Sequence, residues 1–87
     1  MATTYKLETV RKGSNGTSVL LLQEILKARG YYIGKLDRDF GDMTYTAVVA
    51  YQADRIKQGA KIGGTDGKPD GVVGSGTWND LLALQAV

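Results

Sequence analysis

Any chemistry in this chain must come from carboxylates, hydroxyls, amides and amines, because the sequence holds no histidine and no cysteine. That removes the usual general base, Ser-His-Asp catalysis, thiolate nucleophiles, disulfides and most transition-metal sites. Five aspartates, Asp37, Asp39, Asp42, Asp66 and Asp70, fall in or beside two loops. Cleaving a glycosidic bond needs two carboxyls in different environments, one of them raised in pKa. Nothing in the spacing of these five sets one apart, and the domain has little room for a catalytic cleft. Asp37-Arg38-Asp39-Phe40-Gly41-Asp42 invites a calcium reading but lacks the alternating acceptors and the bidentate glutamate twelve positions on. Asp66-Gly67-Lys68-Pro69-Asp70 is no better. The expectation is a binding module with no catalytic residue, no metal and no cofactor.

The elements that must position these groups are short. Eighty-seven residues make one small domain, which buries roughly 60% of its chain surface. Residues 1–10 read as an extended N-terminal arm, with alternating apolar Tyr5 and Leu7, and residues 11–87 as the domain proper. Gly13-Ser14-Asn15-Gly16 breaks the chain and offers Ser14 or Asn15 as a helix cap. Val19, Leu22, Ile25 and Leu26 then recur at helical spacing, and Gly30 is placed to stop the helix. A second helix begins near Asp42, with Thr44, Ala47, Val48 and Tyr51 on one face and Gly59 as its stop. Residues 59–71 hold five glycines and the only proline, which predicts a long surface loop, either ligand-facing or slack. A third helix starts about Ser75 and carries Trp78, Leu81, Leu82 and Leu84.

An internal repeat ties these pieces together. A shift of thirty-three residues lays Asp37 on Asp70, Gly41 on Gly74, Thr44 on Thr77, Tyr45 on Trp78 and Gln52 on Gln85. The first helix shares the back half of the pattern through Val19, Leu22 and Gln23. The predicted fold is all-α: a three-helix bundle of pseudo-repeated turn-helix units with an extended N-terminal arm. In each turn the aspartate supplies an acceptor for backbone N–H groups, and the threonine hydroxyl reaches a loop carbonyl or the aspartate. Gln23, Gln52 and Gln85 read first as groups that hydrogen-bond neighbouring backbone and lock helix order, and second as ligand contacts.

These motifs resemble the peptidoglycan-binding domain of bacterial and phage cell-wall hydrolases. The resemblance runs over residues 11–84. It begins with Arg11-Lys12-Gly13-Ser14-Asn15-Gly16 and continues through Val19, Leu22, Gln23, Leu26, Gly30 and Tyr31. Asp37, Phe40, Gly41, Thr44, Ala47, Val48, Tyr51 and Gln52 follow, then Asp70, Gly71, Gly74, Thr77, Trp78 and Leu81. Two departures stand out. Arg38 occupies a position where the family usually has glycine, so a positive φ there would be strained. The connection from Gln52 to Asp70 is longer than the family's.

The resemblance implies non-catalytic binding of cell-wall peptidoglycan, targeting an associated or fused hydrolase to its substrate. The alternative is a protein-interaction or assembly module on the same fold. A free-standing lytic enzyme is a third reading, tested by turbidity clearing. The ligand-binding candidates are Tyr31, Tyr32, Arg38, Asp39 and Thr44. One of the adjacent tyrosines should pack behind the first helix, leaving the other as a platform for a sugar ring. Trp78 could also stack on a sugar, but its register favours the core. Arg38 could meet a stem-peptide carboxylate, or pair with Asp39 or Asp42 as an ordinary surface arginine. Eleven basic and nine acidic residues give +2, too little to point to nucleic acid. No apolar run is long enough to insert in a membrane, and a monomer is expected. No signal peptide opens the chain, although the function implied lies at the cell wall, so a phage origin or a piece of an exported protein is expected.

Overall fold

Three α-helices form where the helical spacing placed them: α1 (Thr17–Ala28), α2 (Asp42–Lys57) and α3 (Ser75–Gln85). The structure, a computed structural model, describes residues 7–85, and side chains as far as residue 83. The expectations for Tyr5 and for the side chains of Leu84 and Gln85 lie outside that range. In α1 the apolar stripe Val19, Leu22, Ile25 and Leu26 is buried, and Gly30 ends the helix at φ 85°. Its left-handed turn directs the Tyr31 N–H back to the Leu26 carbonyl, 2.8 Å away. In α2 the face Thr44, Ala47, Val48 and Tyr51 is buried as expected, and in α3 Trp78 and Leu81 are. Leu82, expected on the apolar face of α3, is 38% exposed.

The start of α1 differs from the sequence reading. Its cap is Gly16, with no side-chain cap bond, and neither Ser14 nor Asn15 fills that role. Both are committed elsewhere, because the segment before the helix runs as an extended arm across the turns. The Ser14 hydroxyl accepts from the Arg11 N–H at 3.0 Å, and Asn15 pairs antiparallel with Asp39. Gly13 N–H donates to the Phe40 carbonyl, and Phe40 N–H to the Ser14 carbonyl, both at 2.9 Å. Further out, Val10 exchanges both backbone bonds with Val73, at 3.1 and 2.8 Å. Phe40 and Val73 are the same position of the two repeats, so one arm ties the two turns together. Val10, Phe40 and Val73 all enter the single core with the helix stripes. Trp78 closes that core beneath the arm, and its indole N–H donates to the Glu8 carbonyl at 2.9 Å. This settles Trp78 as a core residue.

Helices α2 and α3 are fastened at one further point. Arg55 grips Asp80 with two parallel N–H bonds, at 2.9 and 3.1 Å, and the Tyr51 hydroxyl donates to the same carboxylate. Arg55 holds the Asp80 carboxyl below the usual carboxylate range, and burial pushes the Tyr51 phenol up. Residues 59–71 are not slack. The Gly64 N–H donates to the Lys68 carbonyl and the Gly67 N–H to the Gly64 carbonyl, at 2.8 and 2.9 Å. Lys68 N–H is held by Asp66 at 3.0 Å, and Ile62 packs against the core.

Candidate functional site

Each turn of the repeat is held from below by a buried glutamine on the preceding helix. Gln23, on α1, directs its side-chain Nε2 at four oxygens: Asp37 Oδ1 at 3.0 Å, the Asp39 carbonyl at 3.0 Å, Thr44 Oγ1 at 3.1 Å and the Tyr32 hydroxyl at 3.3 Å. Two hydrogens are shared among them. Its Oε1 accepts from the Arg38 N–H at 3.1 Å. Gln52, on α2, repeats the pattern with Asp70 Oδ1 at 3.2 Å, the Val72 carbonyl at 3.0 Å and Thr77 Oγ1 at 3.2 Å, and accepts from the Gly71 N–H at 2.9 Å. Both glutamines are fully buried. The aspartates complete the turns as the Asp-turn logic requires: Asp37 accepts from the Asp39 N–H at 3.0 Å and Asp70 from the Val72 N–H at 2.9 Å. The Asp39 N–H, then the Gln23 amide, hold the Asp37 carboxyl below the usual range.

The central residue of each turn must be left-handed for its N–H to reach the glutamine. Gly71 sits at φ 73° and Arg38, its counterpart, at φ 66°. The Arg38 turn therefore keeps the geometry of its glycine-bearing twin and carries the strain of a side chain in that region.

Above the first turn lies an open groove of about 610 Å³. Lys27 on α1, the Ile33–Lys35 segment and the entrance to α2 wall it, with Asp39, Asp42, Met43 and Thr44 on the α2 side. Ile33 is 83% and Met43 52% exposed, and both also line a smaller hollow beside Tyr31. Lys27 Nζ donates to the Gly34 carbonyl at 3.1 Å and steadies the wall. Asp42 pairs with Lys12 at 2.6 Å, which holds its carboxyl low. The groove thus combines an apolar patch with carboxylates and amines. A larger hollow, about 790 Å³, lies between Leu7 and the outer face of α1. It holds none of the five ligand-binding candidates.

The five candidate residues are distributed as follows. Tyr32, Asp39 and Thr44 come together at the groove, Tyr31 lies in the adjoining hollow, and Arg38 lines neither. Tyr32 is the tyrosine that packs behind α1, only 4% exposed, and its hydroxyl donates to the Lys35 carbonyl. Thr44 is buried beneath the groove floor. Tyr31 is half-buried, edge-on to Tyr51 with ring centroids 5.4 Å apart, and its hydroxyl donates to Asp54 at 2.8 Å. That bond raises the Tyr31 pKa. Arg38 and Asp39 are exposed. Sequence reasoning missed Ile33, Met43, Lys27 and Lys35. The available signal was that Ile33 and Met43 are apolar residues off every helical stripe. Among the described residues no group of three or more acidic side chains converges in a way that could hold a metal ion.

Comparison with known proteins bears directly on this region. Residues 15–55 match the family model described as "Putative peptidoglycan binding domain". The crystal structure of the SleB N-terminal domain superposes with a TM-score of 0.73 at 30% identity, covering 93% of this chain and 97% of that one. The chain belongs to the peptidoglycan-binding domain family. The family's model spans Gln23, the first turn and every residue lining the groove. Two larger proteins contain a similar unit. An endolysin of Burkholderia AP3 phage matches at 33% identity and TM-score 0.70, over 87% of this chain and 25% of that one. An L,D-transpeptidase from Xylanimonas cellulosilytica (residues 123–326) matches at 35% identity and TM-score 0.68, over 93% of this chain and 35% of that one. This peptidoglycan-binding domain therefore spans about a quarter to a third of those two chains. No helix among the described residues is long and apolar enough to cross a membrane.

Proposed function

We propose that this domain binds cell-wall peptidoglycan without cleaving it, through the groove above the Asp37–Thr44 turn, and holds an associated wall hydrolase on its substrate. The observation that carries the reading is that the whole groove lining lies inside the segment matching the peptidoglycan-binding family. The family's occurrence beside an endolysin and an L,D-transpeptidase supports the tethering role. Ile33 and Met43 supply contact area for methyl-bearing parts of the polymer. Asp39 and Lys35 supply polar partners at the rim, and Arg38 stands beside the groove as a further charged contact. Tyr31 adds the edge of the neighbouring hollow. Tyr32 and Thr44 act from beneath, holding the floor through Gln23. A shallow groove of this kind binds weakly by itself, and its benefit is the effective concentration it gives a linked enzyme.

The test is cosedimentation of the domain with purified sacculi. Ile33→Asp and Asp39→Ala should each lower retention while the thermal transition is kept. Retention no greater than that of a control helical protein would refute wall binding. Turbidity clearing by the domain alone would refute the non-catalytic assignment. Copurification of a specific protein in place of wall retention would favour an assembly role.

A further inference from the structure

We propose a second wall-polymer subsite at the entrance to α3, related to the first groove by the internal repeat and suited to the carboxylate-bearing peptide part of the polymer. The inference rests on the reading that peptidoglycan is the ligand of the first groove. Its basis is a duplication of the groove itself. A second open hollow, about 270 Å³, lies over the second turn. A shift of thirty-three residues carries every turn and helix-entrance residue of the first groove onto its lining. Asp37, Asp39 and Gly41 fall on Asp70, Val72 and Gly74, and Asp42, Met43 and Thr44 fall on Ser75, Gly76 and Thr77. The facing wall is again a segment that follows the previous helix and contains one isoleucine, one glycine and one lysine. That segment is Ile33-Gly34-Lys35 in the first groove and Lys61-Ile62-Gly63 in the second. Buried Gln52 holds the second floor as Gln23 holds the first. The long 59–71 connection is what brings Lys61 to this place, its turn closed by its own hydrogen bonds.

The substitutions between the two grooves set the ligand chemistry. Asp39 and Asp42 become Val72 and Ser75, so the second groove has one carboxylate where the first has three, and one lysine, the exposed Lys61, where the first has Lys27 and Lys35. Asp70, its one acid, has Oδ1 engaged by Gln52 and the Val72 N–H. At the helix entrance Gly76 stands where the first groove has Met43. A Cβ at Gly76 would meet nothing within 4 Å, and its φ is not positive, so neither packing nor backbone geometry requires glycine there. Gly76 is the second residue of α3, in its first turn. Its effect here is to let a ligand approach the helix entrance closely. Two subsites on one small domain suit a polymer that repeats, because occupancy of one raises the local concentration of the next unit at the other.

The experiment is an amide-shift titration of the labelled 87-residue chain with a purified disaccharide-tetrapeptide muropeptide. Two separate sets of shifts are expected, one over residues 27–44 and one over residues 61–63 and 70–77. Gly76→Glu fills the second hollow and adds a repelling carboxylate. It should remove the second set, leave the first, and lower affinity for intact sacculi by about tenfold or more. Lys61→Glu, on an exposed loop, gives the same result without touching a helix. Shifts confined to residues 27–44, or a second set that survives both variants, would overturn the second subsite and leave the first groove standing. Absence of shifts in both regions, with no sedimentation, would instead defeat wall binding itself.

Discussion

Replacing Arg38 by glycine separates the mechanics of the first turn from its chemistry. Arg38 is held at φ 66° because its N–H must reach Gln23 Oε1, and glycine makes the same bond. A side chain in the left-handed region costs about 1–2 kcal/mol, whereas glycine adds about 0.5–1 kcal/mol of unfolded-chain entropy to be lost. Arg38→Gly should therefore stabilise the domain by about 0.75 kcal/mol at the centre of those ranges, and by no more than about 1.5 kcal/mol. For a domain of this size that is a rise of roughly 2–8 °C in Tm. The assay is thermal and urea unfolding followed by circular dichroism, with unchanged m-value as the check that both states are comparable. In the same preparation, sacculus retention should fall if the guanidinium meets the polymer. A variant that is more stable and binds less assigns Arg38 to the ligand. A lower Tm would refute the claim that this turn is strained.

The remaining predictions concern the clamps and the latch between α2 and α3. Gln52→Leu leaves the buried Gly71 N–H without its acceptor and removes the amide donor shared by Asp70, the Val72 carbonyl and Thr77, and should cost about 2–4 kcal/mol. That is a large share of the roughly 4–13 kcal/mol expected for this length, and urea midpoints measure it. Gly71→Ala should cost at least about 2 kcal/mol, because a Cβ there joins a left-handed φ to a clash with the Tyr45 ring. Tyr45→Ala in the same chain should recover part of that loss. Asp80 has a lowered pKa, so its ion pair stabilises the fold above the unfolded value of 3.8 and is lost as pH falls through the folded value. Asp80→Asn should lower Tm at pH 7, and its gap from wild type should narrow as both are scanned down towards about pH 2. Tyr32→Ala should report on folding rather than binding, with a loss of about 3–5 kcal/mol from the cavity and the lost hydroxyl bond.

Much of this was legible in the residues. Helical spacing marked the stripes of α1 and α2, and the thirty-three-residue shift marked the paired turns, because periodicity and turn chemistry are local properties of a chain. The same locality misplaced the α1 cap. Ser14 and Asn15 are good caps in isolation, but here the arm's pairing with residues 38–40 takes their backbone, and only assembly of the two segments decides that. Adjacent Tyr31 and Tyr32 likewise could not be told apart from sequence. Which ring enters the core depends on Gln23 meeting the hydroxyl of Tyr32 from nine residues away along the chain. Local pattern alone specified three helices, two equivalent turns and a glutamine on each helix. It took the packed structure to show that Gln23 and Gln52 each serve the turn that follows their helix, and that Ile33, Met43 and Lys61 face open grooves. Exposure is a relation between segments, set when the helices pack, and no single stretch of residues carries it.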